Sequence, residues 1–525
     1  MQRRSFLKGA AAACIPALAR PAIAETVPTL RFVPEANLAT LDPVWTTATV
    51  TTNHSYYVYD QLYAIDAGLQ PRPQMAEGHE VSPDGRAWTI RLRESLAFHD
   101  NIPVRSIDCA ASIERWTRRD VFGQLLGKVV EKYETPDDRT LVIRLTRPFP
   151  LLLSALAKPD TSGLFIMPER VARTDPFKAI TDPTGSGPYR FVKEEWVDGS
   201  RVVYAKFDGY VPRNEPPEWA TGAKVAHFPR IEWHILPDPA TVAVAMQQGE
   251  IDWWAQPLPD LYATLERAGM VLQIDQPAGR LAMARMNCLQ PPFNNPAVRR
   301  AVLMAVNQKD FLMAYVGNDA SMYRQCLSLF PCGTPYADET LGRRIMRTDL
   351  DEARRMLKAS GYAGERTVVI SASDLPVITA FGQVAYGLLK DLGMNVELAV
   401  SDWGSVVQRR ASREPVDKGG WSMFVTAGPA VGYANPTISA LVRGQGTDGW
   451  FGWWKSPEAE AKVEAFLNAP DEASQKRIAT ELNDIALADV ATVPLGQYFV
   501  KTAFTRRITG VVQGISSYPW NVRPS

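Results

Sequence analysis

The sequence predicts an α/β chain with two separate α/β regions and a smaller α+β unit set into the first. Three observations predict it. A β-α-β alternation brackets Gly249, a second alternation begins beyond Asn287, and two strands of alternating polarity flank a helical stretch at Ser106 to Arg118. A length of 525 residues calls for several domains. The 57 basic and 57 acidic residues carry no run of like charge, which excludes a nucleic-acid or anionic-membrane footprint. An apolar content of 46 % excludes disorder.

Residues 1–24 read as an export signal: Arg3-Arg4-Ser5-Phe6-Leu7-Lys8, an Ala-rich apolar stretch to Leu18, then Ala22-Ile23-Ala24 for cleavage before Glu25. The paired arginines resemble the twin-arginine type, whose route carries folded proteins. Without Arg3, Arg4, Lys8 and Arg20, 53 basic residues face 57 acidic ones, a net −4. No later segment has eighteen uninterrupted apolar residues, so no membrane span is expected.

Strands are expected at Leu30–Val33, Trp88–Leu92, Leu141–Leu145, Arg201–Tyr204 and Ile231–Ile235, each a short β-rich run. A helix fits the aromatic spacing of Asn53–Leu62 and another fits Thr241–Gln248, stopped by Gly249 before an Ile251–Trp254 strand. The second region should hold helices at Pro296–Val306, Asp349–Ser360 and Thr379–Leu392, with strands at Thr367–Ser371, Val396–Val400 and Trp421–Val425. Helices Pro457–Leu467 and Asp471–Ala488 lead to one extended segment, Thr492–Phe504. Cys326 and Cys332 lie six residues apart in a loop-like stretch and are either a short disulfide or two free thiols.

Catalytic signatures are missing. There is no H-E-x-x-H, G-x-S-x-G, Walker A loop or C-x-x-C, and the five His never recur at helical metal spacing. Gly444-Gln445-Gly446-Thr447-Asp448-Gly449 spells G-x-G-x-x-G but follows no strand and opens no helix, so it reads as a loop. Glu194-Glu195, on a strand, would point to opposite faces, and His99-Asp100-Asn101 is turn chemistry. No catalytic residue, metal or cofactor is expected.

The order of Leu41-Asp42-Pro43, Ser82-Pro83-Asp84-Gly85, Phe98-His99-Asp100-Asn101, Gly185-Ser186-Gly187-Pro188-Tyr189, Gln248-Gly249-Glu250-Ile251-Asp252, Val298-Arg299-Arg300-Ala301 and Gly361-Tyr362 resembles the family 5 extracellular solute-binding proteins. These are the peptide and nickel receptors of bacterial ABC importers. The resemblance implies a two-lobed periplasmic-binding-protein fold of type II, cluster C-like, with residues 25–65, 185–284 and 496–525 in the first lobe, 66–184 as its extra subdomain and 285–495 as the second lobe. Crossing segments are placed near Met283–Asn287 and Pro494–Lys501. It further implies a soluble periplasmic monomer that captures a small organic solute or short peptide between its lobes and delivers it to the permease subunits. A periplasmic hydrolase and a metal-chelate receptor, with His54 as one ligand, are the rival readings.

In peptide-binding relatives a loop acid holds the ligand amine and an Arg holds its carboxylate. The matching stretches here, Thr426–Pro436 and Ser371–Pro376, lack both. The resemblance instead places Trp45, Thr46, Asn53, Trp253, Trp254, Trp403, Thr426, Tyr433 and Asn435 at the cleft, with Asp374 as a cation partner. Only one of Trp253 and Trp254 should face the ligand, because strand neighbours alternate.

Overall fold

The computed structural model describes residues 28–525; the export segment expected over 1–24 lies outside them. Two mixed sheets form the core of two lobes. The first has seven strands in the order Val271–Ile274, Lys501–Phe504, Trp253–Trp254, Thr29–Val33, Arg230–His234, Arg201–Lys206 and Tyr189–Phe191. The second has six, in the order Tyr323–Arg324, Val493–Tyr498, Arg280–Met286, Met423–Pro429, Thr367–Ala372 and Val396–Ser401. A separate four-stranded antiparallel sheet, with Ala87–Leu92 and Thr140–Leu145 at its centre and the Ser106–Thr117 helix against it, is the expected α+β unit.

Local chemistry explains the shared features. Thr29–Val33 pairs in parallel with Arg230–His234 and Trp253–Trp254, which the Pro239–Gln248 helix connects. That helix is capped by Asp238, whose carboxylate accepts from the Thr241 amide, and ends at Gly249 with φ +76°. Gly185 and Gly187 lie flat against the end of the Thr49–Val58 helix: a Cβ on them would sit 1.9 Å from the Val58 carbonyl and 2.7 Å from the Tyr57 carbonyl. Only glycine permits that approach.

Asp42 anchors the loop that follows the first strand. It is fully buried, accepts two hydrogen bonds from Arg115 at 3.0 and 2.7 Å, and takes the amides of Val44 and Ile180. The Leu41-Asp42-Pro43 motif therefore ties the Trp45–Thr47 loop to the subdomain. Breaking such a pair from one side costs about 3–5 kcal/mol, because the other charge stays buried.

Several expectations need correction. The first helix is Thr49–Val58, not Asn53–Leu62: Tyr59 is already extended, and Asp60 turns away to Lys224, 2.7 Å distant, and the Tyr210 hydroxyl. The expected Ile251–Trp254 strand shortens to Trp253–Trp254, since the Asp252 carboxylate itself accepts the Arg31 amide and guanidinium. Glu194 and Glu195 sit in a 3-10 turn, with Glu195 paired to Arg230.

The extended segment Thr492–Phe504 splits: Val493–Tyr498 belongs to the second sheet and Lys501–Phe504 to the first. Likewise Met283–Asn287 is not a crossing, because Arg280–Met286 is laddered on both sides within the second sheet. The chain crosses instead at residues 275–279, where the Asp275 amide donates to the Val500 carbonyl and so ties the two crossings together. Cys326 and Cys332 are joined by a disulfide, while Cys109 and Cys288 are free. No helix among the described residues is long and apolar enough to cross a membrane.

Candidate functional site

Three cavities lie along the junction between the lobes. The outermost, about 1410 Å³, is lined from one side by Trp45 and Thr47 and from the other by Tyr433, Trp450 and Phe451. A middle cavity of about 40 Å³ brings Glu35 and Thr49 against Trp403 and Thr426. The innermost, about 20 Å³, lies at the crossing segments and is lined by Asn53, Trp253 and Gln276. Glu35, Gln256 and Arg280 border both inner cavities, which makes these two neighbours.

The predicted residues distribute among these cavities. Trp45 and Tyr433 line the mouth, Trp403 and Thr426 the middle, and Asn53 and Trp253 the innermost space. Trp253 donates from its indole to Thr502 Oγ1 at 2.6 Å, whereas Trp254 points the other way into a cluster with Val242, Met246 and Leu265. Trp254 is thus core. Thr46 is buried and receives Arg410 from the opposite lobe at 3.4 Å.

Two predicted residues do other work. Asn435 accepts from the amides of Thr437 and Ile438 and so caps a turn. Asp374 accepts the Trp403 amide at 2.7 Å and has no ion-pair partner among the described residues; it orients the start of the Trp403–Arg409 helix rather than holding a cation. His54 is wholly buried, bonds the Tyr204 hydroxyl at 2.9 Å, and is pulled down to about 3 by burial. A buried neutral ring behind the cleft fits core packing and not a chelate ligand, and no metal-holding cluster occurs among the described residues. His99 likewise clamps backbone, accepting from the Gly185 amide and donating to the Gly187 carbonyl.

The sequence reading missed the charged groups at this junction. Arg410 is 2 % exposed. Its Nη2 donates across the junction to Thr46 and Thr47 at 3.4 and 3.2 Å, its Nε has no partner, and it faces the rings of Trp403, Phe424 and Phe451 at 5.0–6.0 Å. Burial pulls this guanidinium down to about 10, with no carboxylate to hold it up. Trp403 borders the middle cavity and Phe451 the mouth, so Arg410 stands between them. A signal for it existed: Trp403, Val406, Val407 and Arg410 follow i, i+3, i+4, i+7, which puts Arg410 on the apolar stripe.

Asp160 is a second buried charge, on the subdomain loop whose Lys158, Thr161 and Ser162 line the large cavity. It is 1 % exposed, and neither carboxylate oxygen has a hydrogen-bond partner of normal geometry; the Thr161 amide is the nearest favourable group. Burial pushes it up to about 7. Its loop is rigidly held: Lys158 Nζ bonds Asp120 at 2.5 Å and the Thr161 carbonyl at 2.7 Å, and the Trp116 indole donates to Ser162. Asp160 itself sits at φ +66°, a conformation Asp tolerates better than most residues. Across the junction, a Cβ on Gly432 would meet Asp160 Oδ2 at 2.4 Å.

Glu35 is a third buried acid, pushed up by burial and pulled back by Arg280 and by Asn53, whose amide reaches both its oxygens at 3.1 Å. Arg280 is paired with Asp275 at 2.7 Å.

Residues 70–449 match the family described as bacterial extracellular solute-binding proteins, family 5 Middle. The chain belongs to this family. This family 5 solute-binding protein is 36 % identical over 527 residues to a probable peptide ABC transporter periplasmic-binding protein of Sinorhizobium fredii, covering 99 % of this chain and 98 % of that one. It is 26 % identical to the glutathione-binding protein of Salmonella typhi over 90 % of each chain.

Among solved structures, its fold matches a binding protein from A. tumefaciens R10 in complex with mannopinic acid, with TM-score 0.78 and 21 % identity over 95 % of this chain and 100 % of that one. It also matches a binding protein from Helicobacter pylori in complex with the peptide STSA, with TM-score 0.75 and 20 % identity over 94 % and 98 % of the chains. The two-lobed α/β fold of a family 5 solute-binding protein is thus established from both directions.

Proposed function

We propose that this solute-binding receptor works in the periplasm as the capture component of an ABC importer, closing its two lobes on a peptide or peptide-like organic solute and presenting the closed form to a membrane permease. The observation that carries this reading is the junction itself. Both lobes contribute aromatic walls and buried polar groups to the junction cavities, as a clamp needs if solute is to favour closure. Solute touching both lobes shifts the population only by its differential affinity for the closed form. Residues 275–279 and 499–500, which pass between the sheets, serve as the hinge in this reading.

Export through the twin-arginine route and removal of residues 1–24 complete the proposal. The glutathione, mannopinic acid and peptide of the relatives above indicate its chemical range: small organic acids bearing nitrogen.

The test is native mass spectrometry of protein purified from its own periplasm, followed by tryptophan fluorescence on adding back whatever mass is found. A retained organic solute that changes the fluorescence of wild type, with the folded fraction of Trp403→Ala binding at least about tenfold more weakly, supports the reading. No retained mass and no response to peptides or organic acids overturns it.

A further inference from the structure

The Gly444-Gln445-Gly446-Thr447-Asp448-Gly449 stretch, which spells a nucleotide motif without the strand and helix that motif needs, has a definite shape. Its backbone doubles back on itself: the Ser456 amide donates to the Gly444 carbonyl and the Gly446 amide to the Trp454 carbonyl, both at 2.9 Å, around a bridge between Gln445 and Lys455. Glycine is required for this tongue, since a Cβ on Gly444 would meet the Ser456 carbonyl at 2.4 Å and Gly446 stands at φ +61°. Arg413 braces it from its own lobe, donating to the Thr447 carbonyl at 2.6 Å.

The tongue and Arg443 at its base meet the subdomain on one short helix, Val121–Gly127. Arg443 Nη1 donates to the Val121 carbonyl at 2.6 Å, the Gln445 side-chain amide donates to Gln124 Oε1, and Gln124 Nε2 donates to the Asp448 carbonyl at 3.3 Å. The helix is itself fixed, because Asp120 caps it and Lys158 holds Asp120. Val121, Gln124, Gln445, Asp448 and Gly449 all line the large cavity, so tongue and helix together form one of its walls. The chain runs from subdomain to second lobe only by way of the first lobe, so these contacts form and break as the lobes turn.

Arg443 suits a contact that comes apart. Its side chain is fully buried, yet its counter-charge, Glu460, belongs to the same lobe: Nε and Nη2 donate to the two carboxylate oxygens at 2.9 and 2.8 Å, and the Gly444 amide adds a third bond to Glu460. An ion pair split across the junction would leave two stranded charges on opening, whereas this pair travels as one unit and gives up only the Val121 hydrogen bond. Because the tongue is preformed, docking it orders little chain. We propose that the tongue is the latch of closure, docking on the Val121–Gly127 helix and populating the closed form before solute arrives. This rests on the receptor reading above and names the element that sets its open-to-closed balance.

Full-length receptor, freed of solute by dialysis out of urea, is compared by small-angle X-ray scattering with an Arg443→Lys/Gln445→Ala double variant, circular dichroism checking that both are folded. Lysine keeps a charge for Glu460 but has no planar fork with which to reach Val121 as well. The expected result is a mixture of open and closed forms in wild type and an open-to-closed ratio roughly fivefold higher in the double variant, the combined effect of two weak contacts. Should the double variant fail to fold, Gln445→Ala alone carries the test, with an expected change of roughly twofold.

A folded variant with the wild-type ratio overturns the inference and makes the tongue an incidental contact. Wild type that is wholly open without solute overturns it as well, since the latch then populates nothing. Wild type and variant that are both wholly closed mean that the lobes never part, which fails the receptor reading itself and is a different outcome from the first two.

Discussion

At the residue scale, the charges that matter are distinguished by what surrounds them and not by type. Arg115 and Arg410 are both almost fully buried, yet Arg115 has Asp42 in bidentate contact and Arg410 has two hydroxyls. Nothing in the stretches Ala157-Lys158-Pro159-Asp160 and Gln408-Arg409-Arg410 separates a satisfied ion from an orphan, because the partner lies tens of residues away, as Asp120 does from Lys158, or is missing. That is why motif position placed Trp403, Thr426 and Asn53, which line the junction cavities, but gave no hint of Asp160 and Arg410.

Asp160 also predicts a pH dependence. Its carboxyl rises from an ordinary 3.8 to about 7 on folding, so the folded protein holds the proton more tightly than the unfolded chain. Stability should therefore fall as pH rises through roughly 4 to 7, with the full cost present above that window. The groups facing it are Lys158 and Arg280, which oppose the shift, and the phenols of Tyr56, Tyr433 and Tyr518. Thermal unfolding of solute-free protein across pH 4–8 should show this decline, and Asp160→Asn should flatten it; an unchanged slope in the variant assigns the dependence elsewhere.

At the element scale, strands and helices are readable where their periods are clean, as in the Pro239–Gln248 helix and the two central strands of the four-stranded sheet, while the outer strands of that sheet, Ala76–Val81 and Val130–Asp137, gave no such signal. Boundaries failed where a side chain took over a backbone's task. Asp252 ended a ladder early by accepting the Arg31 amide, and Asp60 drew the chain out of the first helix.

The two-residue strand Trp253–Trp254 carries the sharpest consequence: one ring faces the hinge cavity and the other a closed apolar cluster. Trp254→Ala should cost about 3–5 kcal/mol in urea unfolding and leave solute affinity of the folded fraction unchanged. A variant of full stability would move Trp254 out of the core.

At the scale of the whole molecule, the subdomain is in direct contact with the second lobe. It touches the second lobe through Arg443, which donates to the Val121 carbonyl at 2.6 Å, through Gln124 with Gln445 and Asp448, and through Arg147 with Glu464 and Asn468. Such rim contacts contribute little each but exist only when the lobes meet. Replacing Gln124 and Arg147 together with Ala should therefore speed solute release by roughly threefold, read by stopped-flow fluorescence, while melting stays within about a degree of wild type. An unchanged release rate would remove the subdomain from the closing step.

One arrangement in the first sheet bears on how the protein is made. Lys501–Phe504 lies between Val271–Ile274 and Trp253–Trp254, hydrogen-bonded to both. A ribosome must therefore deliver more than two hundred further residues after those two strands before the gap between them can be filled. Until then the half-built sheet carries two open edges, a template for aggregation. Synthesis thus creates a long exposed interval in which assistance from chaperones is most useful.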